Sequence, residues 1–243
     1  MMHRLKNILP PLLAGVSIVV VWAVVSTRSF VVPSPVETVE ALVDQLRRPE
    51  YRAHIKSTAS KTAWAAGIGI VLGLVTGLLI GRSRLLRDMF EPMLVSMNAL
   101  PKIVLYPVIV SFMTLGPRSQ VTLGVLFSFF PVLINVSAGV QAIPSVYLRL
   151  GRSLQIGRFS TVTQIILPAI RRPLLTGSRL AISLAAVGVV LAEIFATKLG
   201  LGREIMRTYG DGRYPEMMAT IVVLMMASFV VSLVMWNFER RVK

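Results

Sequence analysis

Apolar residues along this chain gather into long uncharged blocks, and the polar and basic residues fall in the segments between them. A helix needs roughly 17 to 25 predominantly apolar residues to cross the hydrocarbon layer of a bilayer. Blocks over 9–26, 62–81, 120–142, 174–197 and 217–238 meet that requirement. A sixth, 93–115, is broken by Pro101, Lys102 and Pro107, yet its flanks 93–100 and 103–115 are apolar enough to insert together. The pattern predicts an all-α integral membrane protein, a single domain over 1–243 with about six transmembrane helices.

Arg4 and Lys6 precede the first block as they would in a secretory signal. The apolar run is longer than a typical signal core, however, and Ser26, Thr27, Arg28, Ser29 and Phe30 lack a small-x-small cleavage pattern, so the block reads as a retained anchor. Lys and Arg in the loops set orientation. With the amino terminus inside, the inner segments hold Arg4, Lys6, Arg82, Arg84, Arg87, Arg149, Arg152, Arg158, Arg171, Arg172, Arg240, Arg241 and Lys243. The outer segments hold Arg47, Arg48, Arg52, Lys56, Lys61, Arg203, Arg207 and Arg213, a weak asymmetry. The densely basic 82–87 and 240–243, with an even number of spans, place both termini on the cytoplasmic side.

Individual blocks carry further signals. Ser34 suits a helix N-cap, Pro35 the first helical position and Glu37 the positive helix end. With Val36, Val39, Leu42, Val43 and Leu46 at helical spacing, an outer amphipathic helix is expected over 34–47, on the membrane surface or against the spans. Ala65, Gly69, Gly73, Gly77 and Gly81 fall four apart, a ridge on which another helix backbone can pack closely. The prolines of 93–115 free carbonyls at membrane depth, as in helices that line a cavity. Lys102 there is either a pathway residue or a side chain snorkelling to an interface. Glu193, toward the outer end of the fifth block, reads three ways: a structural hydrogen bond or ion pair, a gate or subunit contact, or a substrate contact.

Charged residues make up only 15% of the chain and apolar ones 54%, with a net charge of +15. The basic residues sit at span ends, where they meet lipid head groups, and no aromatic–basic recognition module accompanies them, so the bilayer rather than nucleic acid is the expected partner. Cysteine is absent, His3 and His54 are isolated, and no metal-ligand spacing, Ser/His/Asp set or Walker sequence occurs. Neither catalysis nor metal binding is expected of this chain. Met217, Met218, Met225, Met226 and Met235 read as packing residues.

There remains the polar interruption over 141–177. Pro144 ends the fourth block, 146–164 mixes basic and apolar residues over a length that suits two short helices, and Pro168 and Pro173 punctuate the return to the membrane. Such a segment can sit in a cleft of a soluble partner and pass its movement to the flanking spans. Other residues join it: Pro33, Ser34 and Pro35; the glycine ridge; Pro101, Pro107, Leu115 and Gly116; Phe129, Phe130, Pro131 and Asn135. Then come Ile165, Ile166, Leu167 and Pro168 with Pro173 and Gly177, and Ala192 and Glu193 leading to Gly200, Leu201 and Gly202. In this order the chain resembles, over nearly its whole length, the membrane-spanning permease subunit of a type I ABC importer. The branch is the one that serves sulfonates, taurine, nitrate, bicarbonate and some vitamin precursors.

The resemblance implies residence in a bacterial cytoplasmic membrane and a cytoplasmic coupling loop over 143–173. It also implies two ATPase subunits that bind ATP and Mg, a second permease copy or a related permease, and an extracytoplasmic solute-binding protein. The family's signature reads Glu-Ala-Ala, three residues, Gly, nine residues, then Ile-x-Leu-Pro. Anchored on Ile165 to Pro168, it puts Arg149, Leu150 and Gly151 at the Glu-Ala-Ala positions and Gln155 where the turn glycine belongs, with Gly151 and Gly157 placed to shift that turn. Arg149, Gly151, Arg152, Ser153, Leu154, Gln155, Ile156, Gly157, Arg158, Phe159, Leu167 and Pro168 are then expected to couple to the ATPases. In this assignment 153–159 forms the coupling helix, and Arg152 and Arg158 face acidic groups. Asn98, Pro101, Lys102, Asn135 and Glu193 become candidate pathway or gate positions. The alternatives are a self-sufficient secondary transporter or channel, for which inverted repeats would be expected and none is evident, and a scaffold that only recruits a soluble enzyme. Charge reversal at Arg158 is expected to weaken ATPase docking; an intact complex with unchanged transport-linked hydrolysis would reject that assignment.

Overall fold

The structure, a computed structural model, describes residues 2–195 and 198–241; Thr197 and Lys243, and the side chains of Asn98, Arg152 and Arg158, lie outside the described set. No strand occurs among the described residues. Helix α1 (Met2–Ser26) leads to α2 (Pro35–Arg47), where Ser34 Oγ accepts from Glu37 N–H (3.2 Å) and Glu37 Oε2 accepts from Ser34 N–H (2.8 Å), a reciprocal cap. α3 (Pro49–Arg82) starts well before its apolar block, and α4 (Arg84–Ala99) follows directly. After Leu100 and Pro101 come a 3-10 turn (Lys102–Leu105), α5 (Tyr106–Met113) and α6 (Pro117–Gln141). The chain continues through α7 (Ser145–Ser153), α8 (Arg158–Thr161), a π-helical turn (Val162–Ile166) and α9 (Leu167–Ala169), then α10 (Arg171–Ile194), α11 (Leu201–Gly210) and α12 (Tyr214–Arg241).

Among the described residues, α3, α6, α10 and the Tyr214–Asn237 part of α12 are each long and apolar enough to span a bilayer. The third expected span is not one helix: α4, the 3-10 turn and α5 divide it, because proline has no N–H to donate and clashes with the preceding turn.

α6 is the axis of the bundle, and glycines let its neighbours reach it. A methyl group added at Gly73 would lie 2.7 Å from Val132 Cβ, at Gly77 2.9 Å from Leu133 O and at Gly81 2.8 Å from Val140 Cβ. The pairing of Gly73 with Val132 and Gly81 with Val140 makes α3 parallel to α6. On another face, Gly188 meets Gly124, while Gly177 meets Val132 and Asn135, so α10 runs antiparallel. Val132, Val136, Ile166, Ile170 and Ala181 form the buried core of this contact. Because α3 and α6 point the same way, residues 83–116 must carry the chain back along the bundle. α12 is fixed to the others at its ends, by Tyr51 Oη donating to Thr220 Oγ1 (3.3 Å) and by Glu239 accepting from Thr176 and Arg179.

The two ends of the bundle differ. One carries residues 142–170 with exposed Arg149, Arg171 and Arg172, and is called the arginine end. The other carries α2, the start of α3 and α11, where basic residues are paired: Arg48 with Asp44 and Glu216, Arg207 with Glu204, Arg213 with Asp211 and Glu216. This is called the ion-pair end.

Residues 153–159 do not form a helix. α7 stops at Ser153, Gln155 takes φ 53°, and α8 begins at Arg158. The turn therefore stays at Gln155 instead of moving to a flanking glycine, although a non-glycine residue in this region costs about 1–2 kcal/mol. Gly151 lies inside α7, facing Ile165 Cδ1 (2.9 Å from an added Cβ), and its carbonyl accepts from Ile156 N–H (3.0 Å) to close the turn.

Gly77→Leu is expected to destabilise the α3–α6 contact by about 3 kcal/mol, because the Leu133 carbonyl cannot give way. Gly67→Ala, with no atom within 4 Å, should not destabilise and is expected to gain about 0.4–1 kcal/mol. Melting of the detergent-solubilised protein separates the two, and equal melting would show that the ridge contributes nothing.

Candidate functional site

Of the pathway candidates, Lys102, Asn135 and Glu193 sit in three different surroundings. Lys102 lies at the break between α4 and α5 with Nζ 5.2 Å from the Phe130 ring centre and 5.7 Å from that of Phe127, near the middle of α6. Its charge is thus held at mid-depth against aromatic faces. Asn135 Nδ2 donates to Pro131 O (2.8 Å), one turn back in its own helix, and its Cβ lies beside Gly177 of α10. At the ion-pair end a cleft of 740 Å³ between α3, α5 and α6 has Trp64, Phe112 and Thr122 on its walls and Arg118 on its rim.

The candidate coupling residues surround the Gln155 turn. Leu150, Leu154 and Phe159 are exposed on both sides of it, as are Arg149, Ser153 and Gly157, and Ile156 is half-buried. Leu167 and Pro168 belong to α9, exposed just beyond the buried Ile166.

Glu193 is fully buried at the ion-pair end of α10 and saturated with partners from other segments. Lys61 Nζ donates to its Oε1 (2.8 Å), Thr58 Oγ1 lies 3.0 and 2.8 Å from its two oxygens, and Gly202 N–H donates to Oε2 (3.1 Å). Lys61 also donates to Leu199 O (2.9 Å), and Leu201 N–H donates to Thr58 Oγ1 (2.9 Å). The glycines follow from this geometry: Gly200 has φ +146°, and a side chain there would overlap the Glu193 carboxylate, while one at Gly202 would crowd the Glu193 Cβ at 2.9 Å. His54 Nδ1 lies 3.0 Å from both the N–H and the carbonyl oxygen of Gly200, and its Nε2 lies 3.8 Å from Glu204 Oε2. Glu204 in turn holds Arg207 (2.7 Å), and its hydrogen bonds raise that guanidinium above its ordinary pKa.

These bonds pin the 199–204 turn and the start of α11 to α3. Of the three readings of Glu193, the geometry places it in an ion pair. Its partners went unrecognised in the sequence, although Lys61 lies four residues before Ala65 and so continues the glycine ridge onto the buried face. Lys61→Met is expected to cost about 3–5 kcal/mol by leaving a buried carboxylate without its cation. Adding Glu193→Gln, which can still accept from Thr58 and Gly202, should recover about 1–3 kcal/mol. Unfolding of the single and double variants measures this, and strictly additive losses would rule out the coupling.

Comparison with known proteins places this geometry among transport proteins. The chain is 26% identical over 216 residues (87% of this chain, 78% of the relative) to a Bacillus subtilis (strain 168) permease provisionally named for aliphatic sulfonates. It is 27% identical over 228 residues (92% and 90%) to the formylaminopyrimidine transport permease protein ThiX of Halalkalibacterium halodurans. A solved structure of the MetNI methionine ABC transporter in an inward-facing conformation shares the fold, with a TM-score of 0.69 and 16% identity over 78% of this chain and 94% of the other. Residues 69–243 match the family described as binding-protein-dependent transport system inner membrane component, and the chain belongs to that family.

Proposed function

We propose that this ABC importer permease subunit moves a small anion, such as a sulfonate, taurine, nitrate or bicarbonate, by alternating access. In this reading two ATPases that bind ATP and Mg dock on the 143–173 segment. A second copy of the chain, or a related permease, completes the pathway about a two-fold axis, and an extracytoplasmic solute-binding protein delivers the substrate. The arginine end and both termini then face the cytoplasm. The chain is a transporter subunit and not an enzyme. Its motion must come from ligands that bind two conformations of the complex with different affinity, here ATP on the partner chains.

The surface around Gln155 carries this reading. Leu150 is 55% exposed, Leu154 64% and Phe159 81%, while Ile166 behind them is 1% exposed. Large apolar side chains presented on a rooted turn among arginines suit a partner with an apolar cleft and an acidic rim. An anionic substrate is supported by Lys102 at mid-depth, by Arg118 at the opposite mouth and by the relative named for sulfonates.

Permease, ATPases and binding protein reconstituted in liposomes should take up the anion only with ATP. Leu154→Asp with Phe159→Asp should lower ATPase co-purification and uptake by at least about tenfold while leaving the permease folded. Uptake without ATP would reject the reading in favour of a secondary transporter. Uptake of a formylaminopyrimidine and none of the anions would reject the substrate class alone.

A further inference from the structure

At the arginine end, the seam between α10 and α12 lies outside the coupling surface and the pathway candidates. Arg172, Thr176 and Arg179 lie along one face of α10 at helical spacing. Glu239 of α12 accepts from Thr176 Oγ1 (2.9 Å) and Arg179 Nη1 (3.2 Å), which draws Arg179 toward α12. Trp236, one turn before the end of α12, carries the Arg240 guanidinium 3.5 Å from its ring centre. Between these groups is a depression of 260 Å³ lined by Arg179, Phe229, Ser232, Leu233 and Trp236. Phe229 is 64% exposed and Leu233 45%.

The seam makes two different demands along its length. Near the helix ends it offers three guanidinium groups against one carboxylate, strengthened by the positive end of α10. One to two turns deeper it offers an apolar trough, at a level where the surrounding medium is hydrocarbon. Free phosphate answers only the first demand and an uncharged acyl chain only the second. We propose that the seam binds one anionic phospholipid, its phosphate against Arg172, Arg179 and Arg240, and an acyl chain along Phe229 and Leu233. Trp236 sits at head-group level, where its amphipathic ring is favoured, and Arg240 stacked on it is held ready for the phosphate. Glu239 keeps Arg179 and Thr176 in place, and its like charge shifts the phosphate toward Arg172 and Arg240. The proposal is independent of what the permease carries.

The permease, purified in neutral detergent, is melted with dioleoylphosphatidylglycerol, dioleoylphosphatidylcholine or inorganic phosphate, and bound lipid is counted by native mass spectrometry. Phosphatidylglycerol should raise the melting temperature where the other two do not. Arg172→Gln and Arg240→Gln, on exposed side chains, should each reduce bound phosphatidylglycerol by about tenfold, the weight of one charge-assisted contact. Arg84→Gln, at the same end but away from the seam, should not. Equal stabilisation by phosphatidylcholine, a shift reproduced by phosphate alone, or unchanged binding in both seam variants would each overturn the assignment.

Discussion

Lipid tails are as apolar as leucine, so no hydrophobic force presses one transmembrane helix against another, and close contact between backbones must do so instead. The packing of α3, α6 and α10 rests on that contact. α3, α6 and α10 approach through Gly73, Gly77, Gly81, Gly124, Gly177 and Gly188, and Ser128 donates from α6 to the Ala65 carbonyl of α3 (3.1 Å). Around Gly124 the layer consists of Ala65, Ala185 and Val189, with no room for larger groups. One helical turn farther out, the same faces present Lys61 and Glu193, so the ion pair forms where the packing has already excluded water and lipid.

The two ends of the bundle divide the labour. At the ion-pair end, Glu193, Thr58, His54 and Glu204 bind the 199–204 turn to α3, and Tyr51 adds α12. At the arginine end, residues 142–170 are rooted in the core by Ile143, Ile166 and Ile170, with Leu148 and Val162 packed against it, and present Arg149, Leu150, Leu154 and Phe159 outward.

The membrane-spanning, all-α class and the transport family were legible because they rest on local or periodic signals. The cap of α2 needs only Ser34, Pro35 and Glu37. What the sequence hid depends on three-dimensional company. Nothing local pairs Glu193 with Lys61, which reads as one more outer basic residue until the ridge through Ala65 is extended backwards. The turn at Gln155 was obscured because glycines stood on both sides; Gly151 is held inside α7, where its carbonyl receives the bond that closes the turn. The division of the third span into α4, a 3-10 turn and α5 was signalled by its prolines, while the placing of Lys102 against Phe127 and Phe130 of α6 was not.

The Lys61–Glu193 pair also bears on the order in which the protein is made. Its members lie 132 residues apart, so α3 enters the membrane long before α10 has been synthesised. Until then Lys61 has no carboxylate to meet, and its amine must stay at the head-group boundary with the start of α3 held near the surface. Arrival of α10 lets the lysine sink and the 199–204 turn close over it. The pair therefore acts as a late fastening in assembly, one that cannot be made until about four-fifths of the chain has left the ribosome.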